Sequence, residues 1–267
     1  LPNIFCSAAI TALAIAGRET SRIERATGVV PSPPRHPVAL AQQALTAQAA
    51  ARGRFVLGIG LSHKVVIEDM LGLSYDHPAK QMREYLEVLM PLLRGEPVDF
   101  AGDLWKVKAG LSVTGATRVP VLVAALGPHM LRVAGRLADG TATWMTGTRT
   151  LAELTVPTIA KAASEAGRPA PRIVAALPVA LATDAAAARE AAGKIFSIYG
   201  SLPSYRAMLD REGAASPGDV ALCGDEASLR ASLGRLRDAG VTDFAASLFE
   251  AEKGSVARTR AFLASEV

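Results

Sequence analysis

Residues Phe55-Val-Leu-Gly-Ile-Gly60 form a six-residue run without a polar side chain. A strand of that composition has to be covered on both faces. Sheets covered on both faces are parallel sheets flanked by helices. The rest of the chain repeats the motif: short apolar segments alternate with stretches of helical periodicity. The pattern predicts strands over residues 23–30, 55–60, 119–125, 140–145, 172–182 (interrupted at Pro178) and 243–248. It predicts helices over 7–17, 37–52, 79–94, 128–137, 154–166, 184–199, 204–212, 226–239 and 254–265. Residues 97–107 read as a small hairpin turning at Gly102-Asp103, and 64–77 as an irregular stretch. Strand–helix alternation over the whole length means βαβ units. We find no internal repeat, low-complexity linker or charge block, and expect a single domain over residues 1–267.

Composition narrows the function. Half of the 267 residues are apolar, 20% are charged and 5% aromatic, which excludes a disordered tail, a collagen-like fibre and a disulfide-stapled mini-domain. The mean hydropathy of +0.24 is high, yet no apolar run reaches the ~18 residues of a membrane helix. Lys and Arg number 29 against 25 acids, for a net charge of +4. These residues are scattered, with no basic stripe for nucleic acid, though a mildly positive surface favours a small anionic ligand. Cys6 and Cys223 are far apart and fit free thiols in a cytoplasmic protein. Leu1–Gly17 has an apolar middle with no basic residues before it, so no signal peptide is expected.

The strand ends carry the candidate chemistry. Gly58-Ile-Gly60-Leu-Ser62-His63 has two of a dinucleotide fingerprint's glycines, but His63 stands where the third belongs, and no helix opens directly after it. Its glycines either relieve crowding or let a flat ring approach the backbone. Ala125-Leu126-Gly127-Pro128 joins a strand to a helix: Pro at the first helical position costs no hydrogen bond, and the remaining free N–H groups suit a phosphate. Thr27-Gly28-Val29 suggests a bulge or a close backbone approach. Trp144-Met145-Thr146 ends the fourth strand, where Trp144 is either pocket wall or core. His36 and His63 follow successive strands and should share a rim. No metal-ligand spacing, P-loop or Gly-x-Ser-x-Gly elbow is present.

Four blocks together carry a family resemblance: Arg35-His-Pro-Val-Ala-Leu-Ala-Gln-Gln-Ala44, Gly53-Arg-Phe-Val-Leu-Gly-Ile-Gly-Leu-Ser-His63, Met82-Arg-Glu-Tyr-Leu-Glu-Val-Leu-Met-Pro-Leu-Leu-Arg-Gly95, and Val119-Pro-Val-Leu-Val-Ala-Ala-Leu-Gly-Pro-His-Met-Leu-Arg-Val-Ala-Gly-Arg-Leu-Ala-Asp-Gly140. Their order and spacing resemble the bacterial luciferase-like monooxygenase superfamily, and within it the coenzyme F420-dependent oxidoreductases. The resemblance implies a (β/α)8 TIM barrel with a hairpin insertion, here lacking the first one or two βα units. It implies hydride transfer between coenzyme F420 and a small organic substrate. FMN with O2 and a partner reductase, or a non-catalytic flavin-binding barrel, are the alternatives. By resemblance, Thr27, Gly28 and Val29 form a bulge behind the ring, with a non-prolyl cis peptide common there. Gly60, Ser62 and His63 border the ring. Ala125, Leu126, Gly127 and Pro128 hold the phosphate, and Trp144, Met145 and Thr146 lie along the cofactor. His63 or His36 serves as the proton carrier, and a homodimer is expected.

Overall fold

The computed structural model describes residues 7–266; Cys6 and the rest of the apolar N-terminal start lie outside them. The described elements run α1 (Ala9–Glu19), β1 (Arg25–Ala26), β2 (Val30–Pro31), α2 (Pro37–Ala50), β3 (Phe55–Gly60), α3 (Pro78–Leu93), β4 (Val98–Ala101), β5 (Lys106–Ala109), β6 (Val121–Ala124) and α4 (Pro128–Leu137). They continue with β7 (Gly140–Trp144), α5 (Thr148–Thr150), α6 (Val156–Glu165), β8 (Arg172–Leu181), α7 (Ala185–Ile195), α8 (Ile198–Ser201), α9 (Pro203–Glu212), β9 (Leu222–Gly224), α10 (Glu226–Asp238), β10 (Asp243–Leu248) and α11 (Ser255–Ser265). The chain is thus α/β with parallel strand pairing, as the alternation predicts, and residues group into two compact units.

In the first unit (residues 1–125, 129–141 and 162–171), β3 is the central strand. It pairs in parallel with β1, β2 and β6. All six of its residues are buried. The predicted strand over 23–30 is instead two short pieces, because residues 27–29 leave the ladder to cross β3 at its glycines. A Cβ on Gly58 would collide with the Thr27 carbonyl oxygen, and one on Gly60 would stand 3.0 Å from Ala124 and Val29. The Thr27 hydroxyl replaces the missing ladder bonds: it donates to Gly58 O and accepts from Gly58 N–H, both at 2.8 Å.

The helices of this unit start where proline permits. Pro37 and Pro78 open α2 and α3, their missing N–H falling where no helical partner exists. The expected hairpin is present as β4 paired antiparallel with β5. Its turn is held from α3: the buried Glu84 carboxylate accepts N–H bonds from Leu104 at 2.8 Å and Trp105 at 3.3 Å. Gly102 is required there, since any side chain would strike that carboxylate. The stretch 64–77 is less irregular than predicted, because Val65–Met70 winds as a π-helix.

In the second unit (residues 126–128, 142–161 and 172–267), β8 pairs in parallel with β9 and β10. Pro178 does not interrupt β8. It sits opposite Ser247 of β10, and pairing with β9 begins only at Val179, so the missing N–H leaves the ladder to β9 intact. Strand β9 is too short to register as an apolar run in the sequence. The segment predicted as one helix over 154–166 starts earlier, at Thr148, with a π-helical turn at Leu151–Thr155. The helix predicted over 184–199 ends at Ile195, followed by the four-residue α8.

The Thr27 hydroxyl is 2% exposed with its residue, and it serves two buried main-chain groups at once. Thr27→Val keeps the shape and removes both bonds. Leaving a buried polar group unpaired costs ~1–3 kcal/mol, so urea unfolding should show at least that loss. An unchanged midpoint would mean that these bonds do not hold the crossing together.

Candidate functional site

Glycines and a left-handed turn build the first unit's candidate site. After β3 the chain continues through Leu61 into Ser62, which has φ of +62°, a conformation that non-glycine residues seldom adopt. Two contacts hold it. The Tyr75 hydroxyl donates to the Ser62 carbonyl at 3.1 Å, and the His63 carbonyl accepts from Val66 and Ile67 N–H at 2.9 and 3.0 Å. The Ser62 hydroxyl is buried without a hydrogen-bond partner. Buried polar atoms without partners are uncommon and call for an explanation.

Close by in the same unit, the Gly28–Val29 peptide bond is cis, as the resemblance implies for this position. Gly28 is exposed, and a Cβ built on it would meet nothing within 4 Å. The bulge therefore offers bare main chain to its surroundings. Gly60 pairs with Pro31, and its carbonyl accepts from Ser32 N–H at 2.9 Å and from the Ser32 hydroxyl at 3.2 Å. Burial pushes the His63 imidazole below its ordinary value.

His36 and His63 follow parallel neighbours β2 and β3, so they do stand at the same end of the strands. Their local roles differ. His36 Nδ1 accepts the Val38 N–H at 3.3 Å as the N-cap of α2. Its ring packs edge-on against Trp105 at 5.2 Å. One ring nitrogen is committed to the helix start. The cap is invisible in the sequence because His is not among the usual capping residues.

The predicted residues beyond β6 and β7 are described by unit. Ala125, in the first, is buried. In the second unit, Leu126 and Gly127 are half-buried and Pro128 is exposed as the first residue of α4. A Cβ on Gly127 would meet nothing within 4 Å. Met145 is fully buried in the unit's core with Leu151, Leu177 and Leu209, and Thr146 is fully buried as well. What these two can offer a ligand is main chain. Trp144 is half-buried, and its indole N–H is enclosed without a partner.

Two features escape a reading of sequence blocks. Glu212, sixty residues away in sequence, accepts hydrogen bonds from Arg149 N–H at 3.0 Å, Thr150 N–H at 2.8 Å and the Thr150 hydroxyl at 2.7 Å. That helix start is therefore already filled by the protein's own carboxylate. Tyr75 lies in a stretch whose sequence shows no periodicity, so its contact with Ser62 has no local signal.

The His63 shift has a definite consequence. A histidine whose folded value is depressed binds fewer protons than it does in the unfolded chain. Its stabilising contribution is complete above the unfolded value of ~6.5 and is lost as pH falls from there through the folded value. Nitrogen-detected NMR of the imidazoles should give His63 a midpoint below the ordinary one. A midpoint at or above ~6.5 would contradict the burial.

Comparison with known proteins agrees with this architecture. The family model for luciferase-like monooxygenases matches residues 2–257. An uncharacterised protein of Mycobacterium tuberculosis is 30% identical over 216 residues, which are 75% of this chain and 64% of that protein. This chain thus spans less than two thirds of that relative's length. A 5,10-methylenetetrahydromethanopterin reductase of Methanolobus tindarius is 28% identical over 88% of this chain and 80% of its own. Among solved structures, the coenzyme F420-dependent tetrahydromethanopterin reductase of Methanopyrus kandleri superposes with a TM-score of 0.80 at 22% identity, covering 97% of this chain and 86% of its own. The oxygenating constituent of a Pseudomonas putida 3,6-diketocamphane monooxygenase, in complex with FMN, gives 0.70 at 18% identity over 96% and 80%. A fold match at that level and a family model covering nearly the entire sequence lead to one conclusion: the chain belongs to the luciferase-like monooxygenase family.

Proposed function

We propose that this protein is an oxidoreductase that uses a deazaflavin, coenzyme F420, to exchange a hydride with a small organic substrate. Family membership and the F420-dependent relatives support the class. The observation that carries the site is the pairing of bare main chain at Gly28 with the unpartnered buried hydroxyl of Ser62, both in the first unit. A flat heterocycle needs a surface without side chains to lie on and polar atoms at its edge; these residues fit that need.

When bound, the deazaflavin supplies two-electron hydride chemistry at its C5, and the protein supplies placement, exclusion of water and electrostatics. Thr27–Val29 and Gly60 form the platform, with Thr27 locking the platform to β3. The Ser62 hydroxyl would be available for a hydrogen bond to the edge of the ring. His63, which burial biases toward the neutral imidazole, would accept a proton at an imidazole nitrogen when the substrate loses one and return it when the substrate gains one. His36 is the weaker candidate for that task, since Nδ1 is engaged in capping. At Gly127 the open main chain before α4 suits the cofactor's anionic tail, a role that rests on the family resemblance.

FMN with O2 is the second reading, favoured by the likeness to the FMN-bound oxygenating constituent. Difference absorbance on adding each cofactor separates the two. Saturable perturbation by F420 without oxygen uptake is the expected result. Saturable binding of FMN, with protein-dependent oxygenation of a substrate beyond the spontaneous oxidation of free reduced FMN, would replace it by the second reading, and silence with both would reject both.

Gly127 allows a test of the tail. Because a Cβ has room there, Gly127→Ala should fold with an unaltered melting temperature. If main chain at this position holds the anionic tail, cofactor affinity should fall about tenfold, equivalent to ~1.4 kcal/mol. Unchanged affinity would remove Gly127 from the site.

A further inference from the structure

Aromatic residues are scarce in this chain, at 5% of its residues, yet the second unit gathers several at the end of β7. The Trp144 ring meets Phe196 at 5.7 Å and Tyr199 at 5.5 Å, both edge-to-face. Tyr199 in turn meets Tyr205 at 5.1 Å. These four rings rest on the buried core formed by Met145, Leu151, Leu177 and Leu209, but are only partly covered themselves. Ile195 and Ile198, in the same segment as Phe196 and Tyr199, are 54% and 64% exposed. The four rings themselves are partly open.

Packing alone accounts for edge-to-face rings, which are a favourable geometry in any core. It does not account for the Trp144 indole N–H. That group is buried and has no acceptor among the described residues, a condition it shares with the Trp105 indole, which lies outside this cluster. Indole has one donor and no acceptor, and a buried Trp usually finds a partner for it. An enclosed donor beside a half-covered aromatic face describes a ligand that brings both a ring and an acceptor.

We propose that Trp144, Phe196, Tyr199 and Tyr205 form the wall that selects the substrate, and that the substrate is a planar aromatic molecule carrying a carbonyl, whose oxygen accepts the Trp144 N–H. Calling this ligand the substrate rests on the oxidoreductase reading above; the binding itself does not. The rings supply dispersion and edge-to-face contacts that a saturated ring of the same size cannot match. The indole N–H supplies the polar contact that fixes which end of the molecule points inward. Phe196, between α7 and α8, and Tyr199, within α8, set the width of the wall.

The test uses the protein without cofactor, so it stands apart from the cofactor experiment. The indole N–H signals of Trp105 and Trp144 are followed by proton–nitrogen NMR, assigned with Trp144→Phe. Three probes are titrated: acetophenone, which has ring and acceptor; cyclohexyl methyl ketone, which has only the acceptor; and ethylbenzene, which has only the ring. Acetophenone should move the Trp144 signal saturably and leave that of Trp105 in place, with the other two at least tenfold weaker. Tyr199→Leu, which keeps an apolar side chain, should weaken acetophenone at least tenfold with an unchanged melting temperature. Should that variant melt early, the three-probe ranking in the unsubstituted protein decides alone. The proposal is overturned if acetophenone leaves Trp144 unmoved, if cyclohexyl methyl ketone binds as well, or if a stable Tyr199→Leu variant binds acetophenone unchanged. If acetophenone binds as expected while F420 and FMN fail to bind, the wall stands and the oxidoreductase reading falls.

Discussion

The first unit turns on a main-chain crossing: residues 27–29 lie directly against β3, which is possible only because positions 58 and 60 carry no side chain. Two consequences follow. Thr27 has to satisfy the main-chain groups that the crossing takes out of the ladder, and its single hydroxyl serves as donor and acceptor for Gly58. Gly28 is left as exposed main chain beyond the crossing. Crowding on one side of the strand thus creates openness on the other. The same glycines that look like a weak nucleotide fingerprint are needed for packing, and the exposed main chain at Gly28, the surface proposed to bind the ring, is a by-product of that packing.

Carboxylates do the corresponding work at the loops, Glu84 buried and Glu212 half-buried. Glu84 gathers the N–H groups of the hairpin turn, and Glu212 gathers those at the start of α5. In each case a glycine, at 102 or 147, leaves room for the carboxylate. A helix start filled from within has no free N–H groups for an external anion. Pro128 begins α4 with no acid in the first turn, and this contrast supports assigning an anionic tail to Gly127 and not to Gly147.

Legibility in the sequence follows the range of the interactions. Phe55–Gly60 could be assigned from composition alone, because burial on both faces leaves a continuous apolar run. The proline-started helices and the hairpin were legible for equally local reasons. Pro178 misled because a proline's effect on a strand depends on which neighbour needs its N–H, and that is a property of the sheet. The splitting of residues 23–30 into two short strands, the Tyr75 contact with Ser62 and the reach of Glu212 to Thr150 all depend on residues far apart along the chain. The four candidate blocks stood out through spacing and resemblance, but the structural part each residue plays within them did not. That His36 caps a helix, that Met145 is core and that Trp144 has an unused donor all needed coordinates.

The unused donors and acceptors also separate function from stability. Thr27 and Glu84 are polar and buried, Glu212 is half-buried, and each is satisfied by protein groups; the cost of enclosing them is met by the fold they hold together. The Ser62 hydroxyl and the Trp144 indole N–H are buried and satisfied by no group among the described residues. Replacing either by an apolar group of similar shape would relieve a desolvation penalty. Groups that weaken the protein alone, in a family whose members act on bound small molecules, are where a ligand gains most from arriving. Arg25, Gln81, Tyr85, Trp105 and Thr155 also hold a buried polar atom without a partner among the described residues, so what distinguishes Ser62 and Trp144 is their setting, Ser62 in the left-handed turn after β3 and Trp144 within the aromatic cluster.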